Sequence, residues 1–369
     1  YRYMLENLQI SRKSGNESRV LPVSVIENKL EQILLTGGED RLNEYRDELR
    51  NVADELGMQA EFDKINNLIS ALLSTHDARV LSTESAKAIA AGNPFDTARV
   101  ELFEVLFDAI KDRYFIIRNN RNTDEESFRL FSFFESYFSN YIEGTEFEID
   151  EAKAIVDSGI PMFRRDEDSH DILGTFKVLS NRSEMMKTPT SPKELFSILS
   201  HRHSILLEGR PHMNPGIFKA QNNRAGMTEF VDHRLVKGTL SQGFKYYAAL
   251  TDPFARAIFM MFMISEVHPF NDGNGRTARV MMNAELVRAD QSRIIVPTVF
   301  REDYIFALRK LTRHKDPMAY INVMTKLHQF SDNLYGSDFT ELKEYLAVCN
   351  AYDDPSQAKL LIIDRTLNK

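Results

Sequence analysis

The chain has 369 residues, of which 43% are hydrophobic and 27% charged, and its formal net charge at pH 7 is −8. This composition is typical of a globular protein, and the acidic balance argues against a nucleic-acid-binding surface, which is usually basic. The single cysteine, Cys349, cannot form an internal disulfide, and no apolar run approaches the length of a membrane span. We therefore expect a cytoplasmic protein that binds neither nucleic acid nor membrane.

Hydrophobic residues recur with the 3.6-residue period of α-helices along most of the chain. Before residue 122 this pattern predicts helices around 26–34, 42–56, 62–72 and 96–117, separated by Gly37-Gly38, Gly57 and Asn93-Pro94. We interpret residues 1–122 as a helical N-terminal domain to which the sequence assigns no chemistry. Bundle-like helices of this kind are also compatible with a homodimer.

The next helix is predicted to begin at a capping box formed by Thr123 and Glu126 and to end at Gly144. Its aromatic residues are too dense for a single stripe, which indicates burial on more than one side. Another helix is expected over 149–156, then a loop-rich stretch over 159–190 and a helix over 192–207. His201 and His203 lie on that last helix but point to different faces, so we interpret both as surface residues rather than metal ligands.

The segment 211–236 has strand-like character, and we predict a small β-hairpin there. An apolar helix follows over 253–266, and helices resume over 275–289 and 301–311. Residues 331–369 are interpreted as a C-terminal extension that is helical over about 338–361. The predicted fold class is therefore mainly α with one small hairpin, and residues 123–330 form its central domain.

The segment 268–279 reads HPFNDGNGRTAR and joins the apolar helix to the next helix. Free N–H groups and the helix dipole attract anions at a helix N-terminus. Three residues of the segment lie at that predicted N-terminus: Gly273, Asn274 and Gly275. Arg276 and Arg279 share one face of the helix and offer the forked guanidinium donors that suit phosphate oxygens.

Two further residues of the segment suit phosphate chemistry. Asp272 offers a hard oxygen of the kind that Mg²⁺ takes when it also holds phosphates. His268 has an intrinsic pKa suited to taking a proton from an attacking hydroxyl. The segment therefore predicts a polyphosphate site with a base beside it. A zinc site is disfavoured, because two ligands do not complete one.

This segment resembles the signature of the Fic family, HPF-x-D/E-GNGR-xx-R, at every defining position. Over about residues 130–330 the resemblance implies a mainly helical Fic-type core that moves AMP from ATP to a Tyr, Thr or Ser hydroxyl of a target protein. It implies that His268 is the general base, that Asp272 binds Mg²⁺, and that the outer phosphates contact Arg276 and Arg279. The α-phosphate would bind at Gly273, Asn274 and Gly275, and Phe270 would anchor the loop.

The resemblance extends to the neighbouring segments. The hairpin resembles the flap of the family, on which a target protein docks as an added strand. The residues of this flap would be Gly226, Thr228, Phe230 and Val231. Asn283 and Tyr304 would line the nucleotide site.

Class II members of the family carry an inhibitory helix with the pattern S/T-xxx-E-G/N. Two segments match it, Ser139 with Glu143 and Ser204 with Glu208. The position of Glu143 near the end of a helix over about 124–143, ahead of the core, favours it as the inhibitor, whereas Glu208 is expected at the surface of a helix end. Glu143 would pair with Arg279 and occupy the donors that should hold the γ-phosphate, and Ser139 would hold the helix or the carboxylate in place.

Three functions remain open at this point. The favoured one is protein adenylylation that depends on ATP and Mg²⁺, is inhibited in cis by Glu143, and includes possible self-modification. The same site could instead hydrolyse AMP from a modified protein, with Glu143 positioning the water. The third is a nucleotide-gated interaction module with little turnover.

Overall fold

The computed structural model describes residues 1–10 and 20–365, and the chain divides into two compact units, Tyr1–Thr97 and Ala98–Lys369. The division falls before residue 122, the boundary expected from the sequence. The reason is the packing of Phe103, whose ring meets those of Phe259 and Phe262 edge-on at 6.2 and 6.3 Å. Residues 98–122 therefore belong with the second unit. Residues 11–19 of the predicted N-terminal domain and 366–369 of the predicted C-terminal extension lie outside the described residues.

The first unit is helical, as its periodicity predicts. Gly38 has φ 75°, which breaks the second helix where the sequence indicates an end, and Gly57 with φ 65° terminates it. Fully buried leucine and isoleucine side chains, including Leu30 and Ile65, form its core. Its helices are α1 Arg2–Glu6, α2 Val23–Leu56, α3 Gln59–Leu72 and α4 Glu84–Ala90.

The second unit is also mainly helical, which confirms the predicted fold class. Its strands, β1 Arg224–Ala225 and β2 Thr228–Glu229, pair antiparallel as a small hairpin. The helices are α5 Thr97–Ile110, α6 Glu125–Ile142, α7 Ile149–Ser158, α8 Asp166–Leu179, α9 Arg182–Met185, α10 Pro192–Leu206, α11 Val236–Ala249, α12 Pro253–Val267, α13 Asn274–Arg288, α14 Arg301–His314, α15 Pro317–Ser331 and α16 Phe339–Val348.

Helix α12 lies at the centre of this unit. A run of its side chains from Ala257 to Ile264 has no solvent exposure, so the helix is surrounded by protein. It packs against α13, which follows it after the loop that carries the phosphate-site motif. The core of the unit therefore fixes both ends of that loop.

Several local predictions need correction. Helix α5 ends at Ile110 rather than near 117, and α16 ends at Val348 rather than near 361. The N-cap of α6 is Asp124, whose Oδ1 accepts a 2.8 Å hydrogen bond from the Ser127 N–H, and not a capping box at Thr123. Residues 159–190, predicted to be rich in loops, contain α8 and α9. No helix of the described ranges is long and apolar enough to cross a lipid bilayer.

Candidate active site

The loop between α12 and α13 is held in a tight turn by its own residues. His268 ends α12 with φ 52°, and Gly273 precedes α13 with φ 68°. The amide of Asn274 closes the turn, because it accepts a 2.8 Å bond from the Phe270 N–H and donates one of 2.8 Å to the Phe270 carbonyl. Phe270 itself is fully buried and anchors the loop. The N-terminus of α13 is thus presented on a rigid support.

A cavity of about 420 Å³ opens beside this loop. It brings together most of the residues that the sequence singles out. They are Glu143, Thr228, Phe230, His268, Asp272, Gly273, Asn274, Gly275, Arg279 and Tyr304. A second cavity, of about 520 Å³ near Gly209, contains none of them. The cavity beside the loop is therefore the candidate active site.

His268 is oriented and neutral in this site. Its Nδ1 lies 3.2 Å from the Ser265 carbonyl, and since a carbonyl only accepts, Nδ1 carries the proton and Nε2 keeps its lone pair. Burial lowers the pKa of His268 to about 4, and the positive charge of Lys219 contributes. The imidazole is therefore unprotonated at neutral pH and can act as a proton acceptor through Nε2.

The hairpin lies against this histidine. The Phe230 ring stacks on the His268 ring, with centroids 3.6 Å apart and planes 2° from parallel. Gly226, with φ 57°, forms the turn of the hairpin, and Val231 is fully buried behind it. On the other side of the hairpin, the Arg313 guanidinium donates a 3.3 Å hydrogen bond to the Thr228 hydroxyl. The hairpin is thus attached to both α12 and α14.

Arg279 lines the cavity and is bound on its other sides by α6. It donates to the Ser139 hydroxyl at 2.9 Å, to the Ser139 carbonyl at 2.8 Å, and to Oε1 of Glu143 at 2.6 Å. Ser139 therefore contacts the arginine rather than the carboxylate of Glu143. In contrast, Glu208 lies exposed beyond α10 and pairs with Lys177 at 2.8 Å, as expected for a surface residue.

Two residues of the predicted nucleotide site do not line the cavity. Arg276 is buried and pairs with Asp171 of α8 at 2.9 Å. Asn283 is also buried, and its amide donates to Glu135 at 2.7 Å and to the carbonyl of Ile294 at 2.8 Å. Both side chains join α13 to neighbouring segments, because the inner face of the helix is packed rather than open. In this structure the cavity therefore has Arg279 and Tyr304 but neither Arg276 nor Asn283.

His203 was predicted to lie at the surface, and this was wrong. It is fully buried, stacks on Phe270 at 3.7 Å, and accepts a 2.8 Å bond from the Gly216 N–H. Its Nε2 donates to the backbone carbonyl of Asp272 at 2.9 Å, and burial lowers its pKa to about 4. The sequence contained the signal, because Leu199, His203 and Leu206 follow a helical spacing with one buried face.

The residues beside the loop fit a magnesium ion that is held mainly by phosphates. The side chain of Asp272 is 40% exposed and lines the cavity, and its nearest charged partner is Arg276 at 3.7 Å. Within the described residues, no group of three or more His, Cys, Asp and Glu side chains could hold a metal by itself. Such a site suits Mg²⁺, which is commonly bound by one or two carboxylates together with substrate phosphates.

Comparison with known proteins identifies relatives of this region. The sequence model of the Fic/DOC family matches residues 196–286. Protein adenylyltransferase Fic from Nematostella vectensis is 24% identical over 243 residues, which are 62% of this chain and 54% of that protein. The protein of the same name from Drosophila willistoni is 25% identical over 211 residues, 54% of this chain and 40% of that protein. The chain thus spans about half the length, or less, of the curated relatives it matches.

Solved structures of similar chains include Fic-1 from C. elegans. It has a TM-score of 0.47 and 15% identity, and the match covers 89% of this chain and 94% of that chain. A Fic domain containing signaling protein from Bacteroides thetaiotaomicron has a TM-score of 0.49 and 16% identity, with 64% of this chain and 94% of that chain covered.

Proposed function

The chain belongs to the Fic family, and we propose that it transfers AMP from ATP to a Tyr, Thr or Ser hydroxyl of a target protein. One observation carries this proposal: a neutral histidine and the N-terminus of α13 line the same cavity. A base for a hydroxyl and a site for phosphates are the two requirements of such a transfer. The relatives named protein adenylyltransferase support the same reaction.

Different residues of the cavity bind the phosphates, accept the proton and form the wall of the site. The backbone N–H groups of Gly273, Asn274 and Gly275 bind the phosphates at the positive end of the helix dipole. The target hydroxyl attacks the α-phosphorus, its proton passes to Nε2 of His268, and the bond between the α-phosphorus and the bridging oxygen breaks. Pyrophosphate leaves with the electron pair of that bond. Tyr304 forms part of the buried wall beside Arg279.

Mg²⁺ would be held by Asp272 together with the phosphates of ATP. It would supply positive charge that offsets the negative charge of the polyphosphate. His203 donates a hydrogen bond to the backbone carbonyl of Asp272 and so restricts the position of the Asp272 carboxylate. The partly exposed Asp272 side chain is the observation that supports the assignment.

We further propose that Glu143 inhibits the reaction in cis. Its carboxylate occupies one Nη atom of Arg279, and its negative charge repels a phosphate that approaches the same guanidinium. ATP that binds with its phosphates displaced by about 1 Å would react roughly 100-fold more slowly. Arg279 is then free to bind the γ-phosphate once Glu143 moves away.

The target protein docks on the hairpin formed by β1 and β2. Because Phe230 of this segment stacks on His268, a strand added to the hairpin passes close to the base. A segment of a second copy of this chain could occupy the same place, which would give self-modification. Dimerisation through the helical first unit stays a prediction.

Labelled ATP tests the reaction directly. Wild type, Glu143→Gly and His268→Ala are incubated with Mg²⁺ and with ATP labelled at either the α- or the γ-phosphate. We expect the α label alone on protein, more of it with Glu143→Gly, and none with His268→Ala or after chelation of Mg²⁺. Protein labelled from the γ position would indicate phosphorylation and contradict the proposal.

A second candidate is removal of AMP from a modified protein. Glu143 supports it, because Arg279 engages only Oε1 of a carboxylate that is 34% exposed in the cavity, and no described residue hydrogen-bonds Oε2. That oxygen could position a water molecule. Release of AMP from a modified substrate by wild type but not by Glu143→Gly would favour this activity. A nucleotide-gated module with little turnover would give neither label nor release.

A further inference from the structure

Three arginines line the exposed edge of the active-site cavity. Arg224 lies on β1 of the hairpin, and Arg309 and Arg313 lie on α14. All three are exposed, and Arg313 touches the hairpin through its hydrogen bond to Thr228. We call these three residues the arginine rim.

No member of the arginine rim forms an ion pair within the described part of the chain, although Glu229 stands opposite Arg224 across the hairpin. Among residues 1–10 and 20–365, none of its members has a carboxylate oxygen within 4.0 Å, although the chain has 54 acidic residues and a net charge of −8. The acidic side chains that line the cavity are engaged elsewhere. Glu143 pairs with Arg279, Glu266 pairs with Arg99 at 2.5 Å, and the partly exposed Asp272 lies 3.7 Å from Arg276. The rim is therefore a local positive surface on an acidic protein.

The phosphates of the nucleotide have other donors inside the cavity. These are the N–H groups of α13 and the guanidinium of Arg279, which is 5% exposed. The rim lies instead on the two elements that border the docking hairpin. A hydroxyl that reaches His268 from a strand on this hairpin brings the side chains two and four positions away to within reach of the rim.

We infer that the target segment is acidic, with Asp or Glu within a few residues of the modified hydroxyl. This inference rests on the proposed function, because it names the class of segment that docks there. Complementary charge would concentrate such segments at the cavity and would exclude basic ones. The pairs would form at the edge of the site, so the attraction would weaken with added salt.

Two matched peptides test the inference without turnover. Each is a fluorescent peptide of about ten residues with a central Tyr, long enough in extended form to pass the hairpin. One has Glu at the second and fourth positions on both sides of the Tyr, and the other has Gln there. Binding is measured by fluorescence anisotropy with the His268→Ala protein.

We expect the Glu peptide to bind about tenfold more tightly than the Gln peptide at an ionic strength of about 0.01 M, and the difference to shrink towards 0.3 M. Arg309→Gln and Arg313→Gln should each weaken binding of the Glu peptide by about two- to fivefold. Lys193→Gln, on the exposed start of α10, is the matched control and should change nothing. Thermal unfolding of each variant checks that it is folded.

ATP binding separates the two possible uses of the rim. If the Gln variants weaken the binding of ATP and leave the Glu peptide unaffected, the rim serves the nucleotide and the inference is overturned. Equal or undetectable binding of the two peptides also overturns it. Because His268→Ala removes turnover from the assay, a failure of AMP transfer in the labelling experiment leaves this binding result standing.

Discussion

Oε1 of Glu143 lies 2.6 Å from Nη2 of Arg279, so the residue that ends α6 is joined to the second turn of α13. The pair is asymmetric, since the side chain of the arginine is 6% exposed and that of the glutamate 34%. Arg279 is also held by Ser139 and keeps its place if the carboxylate leaves. Glu143 is therefore the member of the pair that can be displaced.

The first prediction concerns Glu143→Gly. Removal of the carboxylate frees one Nη atom of Arg279 for the γ-phosphate and removes the charge that repels it. We expect incorporation of α-labelled AMP to rise roughly 10- to 100-fold, with little loss of stability, because the residue caps α6 and is not in the core. The measurement is protein-bound label against time at saturating ATP.

Glu208→Gly is the matched control for this experiment. Glu208 has the same sequence pattern, but it pairs with Lys177 at the surface and is remote from the cavity lining. We expect its rate to equal that of wild type. Equal rates for wild type and Glu143→Gly, with both proteins folded, would exclude Glu143 as the inhibitor.

Gly275 gives a second prediction. Its Cα lies close to the Glu143 carboxylate, and a Cβ added there would overlap the Glu143 Oε1 atom and lie 3.2 Å from Nη1 of Arg279. In wild type Gly275→Ala would therefore push the inhibitory carboxylate aside. In the Glu143→Gly background that overlap no longer exists. Any decrease in rate that Gly275→Ala causes there therefore reports on the space that the phosphates need.

We expect Gly275→Ala combined with Glu143→Gly to be at least about tenfold slower than Glu143→Gly alone. The comparison uses initial rates of α-label incorporation and ATP affinity in both proteins. Gly57→Ala, at the end of α2, is a control for the loss of a glycine outside both the phosphate site and the hairpin, and an added Cβ there meets no atom within 4 Å. Unchanged rates in the double variant would mean that no phosphate approaches the backbone at Gly275.

The parts of the site that could be predicted from the sequence are those carried by consecutive residues. The motif places His268 and Gly273 at the two ends of one loop, and the apolar run before it predicts α12. The surroundings of Arg276 could not be predicted in the same way. Its partner, Asp171, lies on α8, a helix that begins without a side-chain cap in a stretch whose sequence predicts loops.

Helix α11 is an element that the sequence does not predict, because glycines required by a long-range contact weaken its helical pattern. Its sequence contains Gly238 and Gly243, which lower helix propensity and normally indicate turns. The structure gives a different reason for Gly243, because a Cβ there would overlap the sulfur of Met263 on α12. Glycine serves close packing between helices at this position. Only the tertiary structure contains that cause.

The third prediction is the pH dependence of the transfer. His268 must be neutral to accept the proton, so the rate falls as the pH is lowered through its pKa. Burial beside Phe230 lowers that pKa to about 4, below its ordinary value of about 6.5. We expect kcat/KM of Glu143→Gly to be nearly constant from pH 8 down to about 5 and to fall below that.

Phe230→Ala provides the control for this profile. Loss of the stacked ring exposes the imidazole to water, which favours its charged form and raises its pKa. The fall in kcat/KM at acidic pH should then move towards pH 6, by about one pH unit or more. A fall near pH 6.5 in the protein with Phe230 intact would contradict a buried, neutral His268.

The last prediction concerns stability in acid. Burial lowers the pKa values of His203 and His328 to about 4 in the folded protein, against an ordinary value of about 6.5. Between these values the unfolded chain binds more protons, so the free energy of unfolding falls as the pH drops from about 6.5 to about 4. Each histidine should account for a loss of roughly 3 kcal/mol over that window.

Urea titrations at several pH values measure this effect, and variants isolate it from the titration of carboxylates. His203→Gln can keep a polar contact to Asp272 but cannot bind a proton, so its stability should fall less steeply between about pH 6.5 and 5 than that of wild type. His201 lies two residues away, and its side chain is 56% exposed. The stability of His201→Gln should therefore fall as steeply with pH as that of wild type. The same steepness in His203→Gln and wild type would mean that protonation of His203 does not oppose folding. The buried imidazole would then contribute only through its contacts to Phe270, Gly216 and Asp272.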